Sequence, residues 1–209
     1  MQVQELISDS NRYQLIHILH HNDIQSFVLE QYSAKTPWIQ FYKLSRWFLI
    51  LLAISLMAFW GITEQLSGWQ ILAAVAYGLL SFIVLIPIHE SIHGIASLLL
   101  GAKKVRFKVL WRKLAFLAEA PEFVMNFKTF FLIAIAPFFI INSILLIWML
   151  FHLQSPYYLL IGLVALLVHT LGCIGDFALI SFFEQQKEAE IYTFDRAGAG
   201  CSYFYKVIK

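Results

Sequence analysis

Charge is what this sequence has least of: Asp, Glu, Lys and Arg make up 13% of its 209 residues, against about a quarter in a soluble domain. So few charges cannot cover a water-facing surface, and lipid must serve as much of the solvent. Cysteine is also scarce. Cys173 lies in an apolar run and Cys201 in a polar tail, which excludes a spaced disulfide framework. The net charge of +2 is too small to point to a nucleic-acid partner. A leader with a short basic region and then an apolar stretch is missing as well. The opening segment carries Glu5, Asp9, Arg12, Asp23 and Glu30, so no signal peptide is expected.

What fills the chain instead is apolar surface, 60% of residues with a mean hydropathy of +0.71. A hydrocarbon core of roughly 30 Å needs about 20 apolar residues in helical form. Four stretches qualify: Trp47 to Ile62, Trp69 to Leu100, Phe130 to Phe151 and Tyr157 to Phe183. The positive charges then set the orientation. Arg12, Lys35, Lys43 and Arg46 precede the first stretch, and Lys187, Arg196, Lys206 and Lys209 follow the last. Lys103, Lys104, Arg106, Lys108, Arg112, Lys113 and Lys128 lie between the second and third. The connections near Glu64 and Gln154 carry none, so all 15 fall on one side, which the positive-inside rule names cytoplasmic. Both termini are expected inside a cell membrane crossed several times.

The expected fold is all-α and membrane-integral, a four-span bundle with a small cytoplasmic β-hairpin between spans two and three. Residues 1–46 form a cytoplasmic segment, 47–183 the membrane domain and 184–209 a cytoplasmic tail. Leu15 to Leu29 could make an amphipathic helix on the membrane surface. His17, His20 and His21 are read as a solvated face rather than a metal site. Trp38, Trp47, Trp60, Trp69, Trp111, Tyr157 and Tyr158 fall near span ends, as interfacial rings or as ordinary packing. Val105, Phe107, Val109 and Trp111 alternate with Arg106, Lys108, Leu110 and Arg112, a period of two that predicts a strand, with Leu114 to Ala118 returning as its partner.

Only two acids, Glu90 and Asp176, fall well inside the expected spans, joined there by His89, His93 and His169. Ionisable groups in such places usually face a protein interior or a wet cavity. His89-Glu90-Ser91-Ile92-His93 places two imidazoles at i and i+4 on one helix face, able to share one ion. Zinc takes such nitrogens in tetrahedral geometry and lowers the pKa of bound water to about 7. Glu90 is near enough to accept a proton from that water, the logic of the His-Glu-x-x-His motif. The bland alternative is an exposed Glu90 with each histidine separately satisfied.

A catalytic zinc needs a third protein ligand and an open position. Asp176 is the candidate, because equal helical path lengths from the outer face bring it to the depth of His89. Gly172 and Gly175 would let helices approach closely there; otherwise Asp176 is a helix-end carboxylate or the ion-pair partner of a loop lysine. His169 is placed two turns outward on the same face, to orient substrate, contact the metal's surroundings or, preferably, bond across helices. Asn142 in the third span could supply a polar contact, and Pro137 there and Pro87 before the motif could bend their helices. Cys173 is read as a small buried thiol rather than a soft ligand.

With these residues the sequence resembles the DUF3267 family of zincin peptidases, bacterial membrane proteins related in plan to site-2-type proteases. The resemblance rests on the apolar run ending His89-Glu90-Ser91-Ile92-His93-Gly94, the basic Lys104 to Lys108, Pro121, the span with Pro137, Gly175-Asp176 and the tail at Tyr192 to Tyr205. It covers about Ser81 to Lys209. It implies zinc on His89, His93 and Asp176 with Glu90 as general base. The chain has Gly-Asp where site-2 proteases have Asp-Gly.

The expectation is therefore a membrane-embedded zinc metalloprotease that cuts a peptide or membrane-protein substrate near the cytoplasmic face, with the strand near Val105 holding it by edge pairing. A non-catalytic zinc-binding or regulatory membrane protein is the second reading and a metal-ion transporter the third. Few polar groups besides His169 in the outer halves of the spans speak against transport.

Overall fold

The computed structural model describes residues 2–110, 115–186, 189–196 and 198–208. Trp111 to Leu114 of the expected hairpin, and Lys187 and Lys209 of the charge pattern, lie outside the described residues. In chain order the elements are α1 (Val3–Ser8), β1 (Tyr13–His20), α2 (Ile24–Tyr32), α3 (Pro37–Ile62), α4 (Gly68–Leu80) and α5 (Phe82–Leu99). Then come β2 (Arg106–Leu110), β3 (Ala115–Glu119), β4 (Met125–Asn126), α6 (Phe127–Leu150), α7 (Pro156–Gly172), α8 (Ile174–Gln185), β5 (Ile191–Asp195) and β6 (Cys201–Val207).

Three stretches are long and apolar enough to cross a membrane: α3, α4 with α5 (Gly68–Leu99), and α6. A fourth exists if α7 and α8, bent by 42° at their junction, count as one span. That bend changes one expectation. Tyr157 to Phe183 is not one straight helix but two, α7 and α8. The second stretch is interrupted at Ser81, whose hydroxyl donates to the Gly78 carbonyl at 2.6 Å.

The chain divides into two compact units. The first contains residues 1–39, 90–136 and 175–209, and it corrects the all-α expectation. It holds a four-stranded antiparallel sheet in the order β1-β6-β5-β4, plus the two-stranded β2-β3 sheet. Leu15 to Leu29 is not one amphipathic helix but β1 followed by α2. Its apolar residues satisfy a helical spacing locally, yet β-branched Ile16 and Ile18 fit a pleated surface better. The partner that decides is remote: Tyr13 pairs with Val207 and His20 with Cys201, with an irregularity between Leu15 and His17. Sheet and helices close over Leu19, Phe27, Ala178, Phe183, Ile191 and Phe204. His17 is not on a solvated face. Its ring lies 5.3–5.9 Å from those of Phe27, Phe182 and Phe204.

The second unit, residues 40–89 and 137–174, is helical. Ser67 opens α4 with a reciprocal cap, accepting from the Gln70 backbone while the Gln70 side chain accepts from the Ser67 backbone. Close helix approach is made by glycines other than those expected. A Cβ on Gly78 would stand 2.5 Å from Val164 Cβ, and one on Gly162 would stand 2.6 Å from Met149 Cγ. Gly175 meets nothing within 4 Å, and Gly172 only an ordinary contact with Phe82. Trp60 is buried with Leu66, Ala74, Leu160 and Val164, so it is core rather than an interfacial ring. Trp47 and Trp69 are exposed.

Candidate metal centre

Helix α5 carries the motif, and its regular 3.6-residue turn does the first part of the construction. His89 and His93, four residues apart, fall about one turn apart on the same helix. Glu90 precedes His93 by three residues and so lies close to the same stripe.

Within the first unit, Asp176 comes to His93: His93 Nε2 is 3.2 Å from Asp176 Oδ1, and both side chains are largely buried. Two donors at about 2.0–2.1 Å on a tetrahedral ion stand roughly 3.3 Å apart. The pair therefore has the separation of zinc ligands. Asp176 occupies the first turn of α8, where the helix dipole favours a carboxylate. The bend after α7 supplies that helix start.

The other nitrogen of His93 is fixed too. Its Nδ1 lies 2.9 Å from the Ile133 carbonyl, which only accepts, so Nδ1 carries the proton and Nε2 the lone pair. Ile133 is four residues before Pro137 in α6. Proline has no N–H to give to that carbonyl. Pro137 thus has a specific consequence beyond bending: it leaves the Ile133 oxygen to orient His93, as ligating histidines are oriented in metal sites.

The β2-β3 hairpin stands against the motif. The Ala118 backbone N–H donates to Glu90 Oε2 at 2.7 Å. Ala118 is paired with Phe107 in the hairpin register, and its N–H points out of that pairing toward the helix. Gly94 lets the hairpin come close, since a Cβ there would meet Phe107 Cζ at 3.1 Å and Val105 Cγ1 at 3.2 Å. The hairpin is held by a buried acid the sequence reading passed over: Glu119 accepts from Lys108 Nζ at 2.7 Å and lies 3.4 Å from His21 Nδ1. Glu119 sits outside the apolar runs, where no charge looked out of place.

Within the second unit, His89 belongs to a different chain of contacts. Asn142 Nδ2 donates to Thr170 Oγ1 at 3.4 Å, which turns Oδ1 toward His169 Nδ1 at 2.7 Å. His169 Nδ1 then carries the proton, and its Nε2 accepts from His89 Nδ1 at 3.2 Å. This sequence of donors makes Nε2 the unprotonated nitrogen of His89. Cys173 Sγ lies 3.8 Å from His169 Nε2 and 4.0 Å from His89 Nδ1. The expected cross-helix bond of His169 is present, and Cys173 is fully buried as expected.

His93 and Asp176, within one unit, therefore have the separation and the donor chemistry of zinc ligands. In comparison with known proteins, the family model DUF3267, described as "Putative zincin peptidase", matches residues 82–190. That match begins with α5 and ends just before β5. Neither a curated protein nor a solved structure matches the chain.

Proposed function

The chain belongs to the DUF3267 family, and from there we propose that it is a membrane-embedded zinc metallopeptidase that hydrolyses peptide bonds near the cytoplasmic face. His89, His93 and Asp176 are the proposed ligands and Glu90 the proposed general base. The observation that carries the reading is the 3.2 Å approach of Asp176 to a His93 whose other nitrogen is committed to Ile133. A zinc ion there would polarise the scissile carbonyl and acidify the attacking water.

The rest is the work of side chains and backbone. Glu90 takes the proton of the water and returns it to the leaving nitrogen. Ala118 supports edge pairing of an extended substrate along β3 rather than around Val105, because the outward N–H of β3 is the one beside Glu90. A substrate carbonyl that takes this N–H releases Glu90 for the water, so substrate arrival and base activation are one event. Asn142 and His169 hold His89 in the tautomer that offers Nε2. Both termini lie in the cytoplasm in this proposal, supported by the one-sided placement of Lys and Arg.

Metal analysis of the purified protein tests the reading, with cleavage of single-span reporter proteins assayed beside it. One zinc per chain is expected in the wild type and in Glu90→Gln, with cleavage by Glu90→Gln lower by about 10²–10⁴-fold. Glu90→Gln that keeps both its zinc and its proteolysis refutes Glu90 as base. Zinc content unaffected by His93→Ala and Asp176→Ala, each made in a Cys173→Ser background so that the neighbouring thiol offers no other ligand set, refutes the centre.

A further inference from the structure

His89 faces two sets of ligands, and the hydrolytic reading uses only one of its nitrogens. On the Nδ1 side stand His169 Nε2 at 3.2 Å and Cys173 Sγ at 4.0 Å, with Sγ 3.8 Å from His169 Nε2. All three ligand atoms lie within 4.8 Å of one another. Around one tetrahedral zinc-class ion, two nitrogens stand roughly 3.3 Å apart and a nitrogen and a sulfur roughly 3.6 Å apart. The imidazole pair already has that spacing, and the sulfur is within a few tenths of an ångström of it. Cys173 and His169 are 0% and 3% exposed, and thiolate with imidazole is a donor set that selects zinc and copper(I) over hard cations.

We propose that His89, His169 and Cys173 form a second metal-binding set, for a thiophilic cation, that competes with the hydrolytic centre for His89. Loading it removes the Cys173 thiol proton to solvent. It also shifts the His89 proton from Nδ1 to Nε2, because Nδ1 becomes the ligand. The lone pair that the hydrolytic centre needs is then gone. One chain therefore holds a metal in one set or the other, and a thiophilic ion acts as an inhibitor that takes a ligand away. The competition rests on the proposed hydrolytic centre; the metal set itself rests only on these three side chains.

Cobalt(II) titration of the full-length protein in detergent, followed by near-ultraviolet absorption, tests it. A thiolate-to-cobalt charge-transfer band is expected in the wild type, stronger in His93→Ala, where the competing set is broken. The band should vanish in Cys173→Ser and in His89→Ala. A band that survives Cys173→Ser, or no band in either the wild type or His93→Ala, overturns the proposal. Failure of the hydrolytic reading looks different: in a Cys173→Ser background, where the thiol set is gone, zinc content would then be indifferent to His93→Ala and Asp176→Ala, whatever the cobalt spectrum of the wild type shows. If the band appears but cadmium inhibits cleavage equally in the wild type and Cys173→Ser, the competition is overturned.

Discussion

His93 and His89 stand one turn apart on α5 yet live in different chemistry. His93, in the unit that carries the sheet, is surrounded by oxygen: the Asp176 carboxylate on one nitrogen and the Ile133 carbonyl on the other. His89, in the helical unit, has nitrogen and sulfur beside its Nδ1, from His169 and Cys173. A carboxylate and a proton-accepting carbonyl suit a hydrolytic zinc with an open position. An imidazole and a thiol suit a closed, soft site or a rigid orienting chain. The motif spacing fixes where the two imidazoles begin, and the neighbouring helices decide what each one does.

The comparison breaks most sharply at its oxygen side. With the thiol set removed by Cys173→Ser, a further His93→Ala or Asp176→Ala should abolish stoichiometric zinc binding in competition with a chelator, because a three-residue set loses a member; a retained stoichiometric metal in either double variant ends the assignment. On the nitrogen side, Asn142→Leu removes only the group that orients His169. Zinc affinity should fall by about 10–100-fold, as for lost orienting partners of metal ligands. Asn142→Asp keeps an acceptor and should recover most of that loss, a rescue that a merely structural role for Asn142 does not predict.

Pro137→Ala sharpens the contrast through the backbone. It restores an N–H that competes with His93 for the Ile133 carbonyl, so zinc should bind about tenfold more weakly. The same change removes a proline from a helix interior and should raise thermal stability. Opposite signs in one variant are the signature; affinity unchanged with stability raised shows that the carbonyl has no part in orienting His93. The smallest effect is expected away from the metal. Glu119→Gln weakens the buried acid that Lys108 and His21 share and should lower stability by about 1–3 kcal/mol, or roughly 2–4 °C in Tm per kcal/mol. Its zinc content should not change, which a metal assay checks.

Much of this was legible in the residues. Three of the apolar stretches reappear as α3, α4 with α5, and α6, because a long apolar run has few alternatives to a helix; the last falls on α7 and α8, a fourth span only if that bent pair counts as one. Strand β2 of the β2-β3 pair falls within the alternation read from Val105 onward, and Asp176, singled out by depth along its span, comes to His93. The sheet was not legible in the same way. Tyr13 to His20 satisfies helical spacing, and only pairing with β6 nearly two hundred residues later makes it a strand. Nor did Pro137 declare its use, since a freed carbonyl matters only when an imidazole arrives from another helix.

The sequence by itself determined the apolar stretches, the grouping of Lys and Arg in alternate connections and the pair of imidazoles with a glutamate between them, because these depend on residue type and short-range periodicity. Only the tertiary structure decided which atoms those imidazoles face, that the Ala118 N–H reaches Glu90, and that the Cys173 thiol lies 4.0 Å from His89 Nδ1. Hydrogen-bond direction and ligand spacing arise between segments far apart in the chain, and no local pattern encodes them.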